Sequence, residues 1–310
     1  MTLPTTPKGW AIHLTRLIKL FHEAHGLDRF PIDVAAIATD YSRQVFPEAP
    51  ITMVEGLEMS KTFEGMLIPR PGGNGEWGIV YNNTITSKGR INFTLAHELG
   101  HYLLHRTISP EGLRCSNRAM LDWKSERGRV EAQANTFASF LLMPLDDFRA
   151  QIRGHDITMD LMRRLSDRYE VSITAAILKW LGITEKRAMI VIGKDGFIDW
   201  AWSSERLIKS GVFYRARQQV VALPDLSLAA RQDPAVDAEI GVAHPEGVWL
   251  GDEEVREMTI FSPRNEMTIS LLLYPNDSPS RWDDDLDEPK EWDAYDQLVW
   301  RGQQTAQTRR

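Results

Sequence analysis

Residues 93 to 106 read FTLAHELGHYLLHR, and no other stretch limits the fold so sharply. His97, Glu98 and His101 fall within five positions, with His105 one turn further on. On a helix, side chains four apart leave the same face about one turn apart, so the rings of His97 and His101 can meet one ion. A tetrahedral zinc takes such nitrogens at about 2.0–2.1 Å. Glu98 points to one side of the pair, placed to take a proton from a bound water without being a ligand. Two histidines do not complete a site. The fold must therefore pack a second element, carrying a third ligand, against this helix.

Candidates for that ligand can be weighed by geometry. His105 lies eight residues beyond His97, about 12 Å along a helix axis, so the two rings cannot easily share one ion. Asp122 and Glu126 fall in RTISPEGLRCSNRAMLDWKSERG, residues 106 to 128, where little periodicity fixes their direction. Glu131 belongs to a strong helical pattern from about Arg129 to Met143, which Pro144 stops. Positions 131, 134, 135, 138 and 142 share one side of that helix and read Glu, Ala, Asn, Ala, Leu. A carboxylate on such a stripe faces inward, where an uncompensated charge is costly and a metal would resolve the cost. His97, His101 and Glu131 are thus the expected zinc ligands.

The chemistry expected of this set is metal-assisted peptide hydrolysis with Glu98 as general base. A zinc with three protein ligands keeps an open position and lowers the pKa of a water there to about 7. The bland alternative is that HExxH recurs on helices that bind nothing. Here the motif sits among Leu95, Leu99, Tyr102 and Leu103, so buried histidines without an ion would be expensive. His105 and Tyr102 are read as supporting or core residues, and Cys115 as a spectator thiol. No oxyanion-stabilising residue can be named.

These residues also resemble a family. RINFTLAHELGHYLLH followed by EAQANTFASFLLMP is similar to the ImmA/IrrE zinc metallopeptidases. Their pattern is HExxH, then a glutamate four residues before the Asn of an A-N-x-F-A-x-x-L-L-M-P run. That glutamate falls on Glu131, and Ala134, Asn135, Phe137, Ala138 and Leu141 to Pro144 match the rest. The resemblance spans about residues 10 to 185. It implies site-specific cleavage of a helix-turn-helix repressor in stress response or mobile-element control, with Zn2+ as the cofactor.

Around this core the chain reads as α+β: a zincin-like helical metallopeptidase core with a small β-sheet, a short helix-turn-helix-like segment, then a β-rich C-terminal region. Residues 10 to 26 carry Leu14, Leu17, Ile18, Leu20 and Phe21 at helical spacing, with Gly26 as the stop. FPIDVAAIATDYS opens a second helix, with Pro31 at an N-terminal position and Asp33 in its first turn. GIVYN reads as a strand, SKGR as a polar connection, and Asn92 or Thr94 as the cap of the histidine helix. LMRRLSDRY and TAAILKWL form a helical pair. AMIVIGKDGFIDWAW is a hairpin about Asp195-Gly196, and VVALP, MTIFS and MTISLLLYP are further strands. The expected division is a peptidase domain 1–185 including the pair at 155–185, a β-rich domain 186–275 of open role, and an acidic tail 276–310.

Charge narrows the partners. The net charge is −7. Nine acids against Arg281 and Lys290 place all of it between Pro275 and Trp300, leaving 34 residues of each sign elsewhere. A neutral body gives no support to strong non-specific DNA binding. In the helical pair Arg163, Arg164, Arg168 and Lys179 alternate with Asp160, Asp167 and Glu170, which favours packing or substrate gripping over DNA readout. Trp200 and Trp202 read as a packed sheet surface, and Arg206, Lys209, Arg215 and Arg217 as a solvated basic patch. One cysteine excludes a disulfide framework. No window of 18 apolar residues suggests a membrane span, and the N-terminus has no signal-peptide pattern, so the expected location is the cytoplasm. The expected partner is a protein substrate, the repressor; membrane association is not expected and direct DNA binding is disfavoured. The rival reading is a non-catalytic zinc-containing regulator that binds a protein or DNA.

Overall fold

The computed structural model describes residues 2–60, 63–70, 72, 74–109, 111–116, 126–214, 216, 219–232, 237–262 and 266–276. It is an α+β chain with two sheets: a helical first part with a small sheet, then a β-rich C-terminal region, as expected. The chain divides into two compact units. The first runs to Gln151 and includes Ser166–Ser172; the second comprises Ile152–Leu165 and the described residues from Ile173 on.

In the first unit, α1 (Pro7–His25) and α2 (Val34–Val45) precede β1 (Ile51–Leu57), β2 (Phe63–Pro69) and β3 (Trp77–Asn82). The histidine helix α3 (Lys88–His105), the short β4 (Leu113–Ser116), α4 (Glu126–Leu142) and α5 (Leu145–Ile152) follow. The sheet order is β1-β3-β2-β4, parallel between β1 and β3 and antiparallel elsewhere. α1 begins at an N-cap Thr6 and ends at Gly26, whose φ of 65° is the left-handed conformation glycine adopts without strain. Its periodic residues divide between two faces. Trp10, Ala11, Leu14 and Ile18 are buried, whereas Leu17, Leu20 and Phe21 are exposed. Helical spacing marks an apolar position but does not say which of two apolar stripes meets the core.

Several local expectations change. α3 starts earlier than expected: Ser87 is the N-cap, its hydroxyl accepting from the Arg90 amide, so SKGR enters the helix. Asn92 and Thr94 are interior, and Thr94 Oγ1 donates back to the Arg90 carbonyl. In α2, Asp33 is the N-cap, accepting from Ala36 N at 3.0 Å, and Pro31 lies before the helix, after a cis peptide bond. The excursion after His105 contains β4, paired with β2. Asp122 lies outside the described residues, as do the side chains of Cys115 and Glu126.

α3 packs closely on α4. A Cβ at Gly100 would lie 2.9 Å from Phe137 Cδ1 and 3.2 Å from Ala134 Cα, so only glycine permits this approach. Phe137, Ala138, Leu141 and Leu99 are buried about the crossing. Burying each large side chain contributes about 1.5–3 kcal/mol, which anchors the two helices that carry the polar site. At the C-terminal end of α3, the Arg106 guanidinium lies 3.9 Å from the Phe46 ring centroid, and Tyr102 OH donates to the Ala49 carbonyl at 2.7 Å.

The remaining helices of the pair are α6 (Met159–Tyr169) and α7 (Ile173–Leu181). Its arginines are engaged in ion pairs: Arg163 with Glu239, Arg164 with Asp160, and Arg168 with Asp147. The second unit then holds β5 (Ala188–Lys194), β6 (Phe197–Ser203), α8 (Glu205–Lys209), α9 (Leu228–Arg231), β7 (Val242–His244), β8 (Val255–Ser262) and β9 (Met267–Leu273). They form an antiparallel sheet of order β6-β5-β9-β8-β7. Asp195 and Gly196 both have positive φ at the β5–β6 turn, the geometry expected for that dipeptide. Of VVALP, only Ala222 forms a bridge, to Phe197, rather than a strand. Trp200 is buried on β6. Lys209 pairs with Glu205, and Arg215 and Arg217 lie outside the described residues. The core of this unit is pinned by buried Glu257, which accepts from the amides of Leu228 and Ala229, Trp249 Nε1 and Thr259 Oγ1 at 2.8–3.0 Å. The acidic tail from Asp277 lies outside the described residues.

Candidate metal centre

Three side chains from two helices converge where α3 meets α4. His97 Nε2 and His101 Nε2 are 2.9 Å apart, and Glu131 Oε2 lies 3.2 Å from the first and 3.6 Å from the second. All three residues are buried. Nitrogens held about 2.05 Å from a tetrahedral ion stand about 3.3 Å apart, which these three separations bracket. The spacing four apart on α3 brings the rings together, and the stripe of α4 supplies the carboxylate, with Ala134 and Ala138 giving the helices room to approach.

The hydrogens can be placed from the acceptors around the rings. His97 Nδ1 is 2.7 Å from Asn135 Oδ1, which can only accept, so Nδ1 carries the hydrogen. His105 Nε2 is 2.9 Å from Gln133 Oε1 and donates to it in the same way. The neutral His105 ring then accepts at Nδ1 from His101 Nδ1, 3.0 Å away. With both rings neutral, each ligand candidate would direct an Nε2 lone pair at the same small space, beside the Oε2 of Glu131. Two lone pairs and a carboxylate at these distances repel one another, so the cluster favours a positive charge between them, either a proton or a metal ion. The donor set of two imidazole nitrogens and one carboxylate oxygen suits zinc.

The electrostatics describe the same demand. Burial pushes His97 down, but contact with Glu131 and the charge of Glu98 outweigh it and raise its pKa to about 9. Burial lowers His101 to about 4, helped by repulsion from His97. Burial pushes Glu131 up, yet the two imidazoles hold it well below the usual carboxylate range. Without a metal, one proton shared with the carboxylate supplies the positive charge.

Glu98 is fully buried beside this cluster. Gly65 on β2 makes its place: a Cβ there would lie 3.1 Å from Glu98 Oε1 and 2.5 Å from Thr94 Cγ2. Gly65, Gln133 and the close approach at Gly100 escaped the sequence reading. A glycine inside a strand is the one available signal, since it marks close approach of another group. Tyr102 belongs to the core, its ring packed against Phe46 and Trp77. His105 is brought to the outer nitrogen of His101, not to the three-atom cluster.

Residues 60–180 match the family model of peptidase M78, described as the IrrE N-terminal-like domain. The resemblance read from the motifs is borne out. The peptidase M78 match contains both α3 and α4, and with them the whole convergent cluster. Among solved structures, a Mycobacterium tuberculosis transcriptional regulator is similar at a TM-score of 0.50 and 15% identity, over 84% of this chain and 76% of that one. At that identity the likeness concerns the fold alone. No curated protein matches the chain. No helix among the described residues is long and apolar enough to cross a membrane.

Proposed function

We propose that the chain is a zinc-dependent endopeptidase of narrow specificity, acting in the cytoplasm on a helix-turn-helix transcriptional repressor in stress response or mobile-element control. The observation that carries the reading is the convergence of His97, His101 and Glu131 beside a buried Glu98, inside a peptidase M78 match. Zinc held by those three residues would polarise a scissile carbonyl and lower the pKa of a water. Glu98 takes the proton of the attacking water and passes it to the leaving amine nitrogen. Asn135 holds His97 in the ligand tautomer. The domain that does this is taken to be residues 1–185, with 186–275 as a separate β-rich domain.

The non-catalytic alternative has less support. A purely structural zinc site has no need of a general base at Glu98, and the arginines of the helical pair are engaged with acids instead of facing a phosphate backbone. Purified protein separates the readings. Glu98→Gln should keep one zinc and lose peptide hydrolysis, whereas Glu131→Ala should lose most of the zinc. Full zinc in Glu131→Ala would remove the third ligand. A salt-sensitive, sequence-specific DNA shift would favour the regulator.

A further inference from the structure

We propose that Gln133 and His105 form a positioning relay that fixes the tautomer and ring orientation of His101, and so sets how tightly the site holds metal. The inference rests on the zinc reading above and concerns what supports the ligands. His105 is buried, and both of its ring nitrogens are engaged: Nε2 with Gln133 Oε1 at 2.9 Å and Nδ1 with His101 Nδ1 at 3.0 Å. The direction of the relay follows from the end that cannot donate. Gln133 Oε1 accepts, so His105 donates from Nε2 and accepts at Nδ1, and His101 must place its hydrogen on Nδ1. His101 Nε2 is then bare toward the cluster, whichever way its own surroundings would otherwise have drawn the proton.

A histidine in this position that merely filled space would be served as well by leucine. The engagement of both nitrogens, end to end, argues that the ring is there for its polarity. The relay also ties the site to one helix. α4 contributes Glu131 as ligand, Asn135 to His97 and Gln133 to the relay, so both candidate ligand histidines, His97 and His101, take their tautomers from the element that brings the carboxylate. Outer partners of metal-bound histidines are worth about 10–100-fold in metal affinity.

The test uses the full-length chain, zinc and a chromophoric chelator, with ring nitrogen spectra of 15N-labelled protein. In wild type, His105 should carry its hydrogen on Nε2, and His101 on Nδ1. His105→Leu should weaken zinc about 10–100-fold. His105→Asn, whose side-chain oxygen can accept near the place of Nδ1, should recover most of that loss. Gln133→Ala alters an exposed position, so the fold should persist, with a several-fold loss of affinity and a mixed His105 tautomer. If His105→Leu does not fold, the asparagine and Gln133 variants carry the test alone. Wild-type zinc affinity in folded His105→Leu, or a His105 ring protonated on Nδ1 in wild type, would overturn the relay while leaving the zinc site standing. A wild-type protein that takes up no zinc would remove the site and the relay together.

Discussion

His97 and His101 differ in pKa by far more than two histidines on one helix turn normally would, and the difference bears on metal uptake. In the metal-free protein His97 is raised to about 9 and stays protonated through neutral pH, while His101, lowered to about 4, is already neutral. Zinc must therefore displace about one proton at pH 7 to 8, and apparent affinity should rise about tenfold per pH unit until near pH 9, then level off. Calorimetric titrations in buffers of different ionisation enthalpy measure the released proton directly. A pH-independent affinity with no release would show that the cluster does not hold that proton. At this scale much of the site was legible beforehand. The ligands follow from residue type and a period of 3.6, which encode the face a side chain takes. Gln133 was not legible, because a polar residue on an exposed helix position looks alike whether it faces water or the edge of a buried ring. Gly65 was hidden for a related reason: what a missing Cβ makes room for is known only when the neighbour is in place.

The helix pair α3 and α4 is the element that turns four residues into a site, and its spacing depends on Gly100 against Ala134. Gly100→Ala would gain about 1 kcal/mol of helix propensity. It would also drive a Cβ to 2.9 Å from Phe137 Cδ1 and 3.2 Å from the Ala134 backbone, and overpacking of that kind costs about 1–3 kcal/mol. The second effect should win, because the contact is partly with backbone, which cannot rotate away. The expected outcome is a lower melting temperature together with weaker zinc binding, since Glu131 moves with α4. Higher stability with unchanged affinity would mean that the crossing relaxes without disturbing the ligands. Element boundaries were less readable than element types. Ser87 outcompetes Asn92 and Thr94 as cap because the helix gains about 1.4 turns over the first and about 1.9 over the second by starting there, and β4 emerges from a stretch without periodicity because its pairing with β2 is a non-local choice.

The molecule as a whole joins a peptidase M78 match to a β-rich unit whose core is organised about Glu257, and the fold class follows from patterning that changes character after Thr184. The role of that second unit was not legible, since alternating strands specify a sheet and its core but no ligand. What the chain acts on is likewise a property of two molecules and is absent from one sequence. The central claim is proteolysis of a regulatory protein, and it is tested most directly by comparing protein N-termini in host cells that carry wild type or Glu98→Gln, with and without DNA damage or oxidative stress. The account predicts a new terminus inside a helix-turn-helix repressor that appears with wild type and not with Glu98→Gln. Identical termini under every condition, with zinc bound in both proteins, would contradict it.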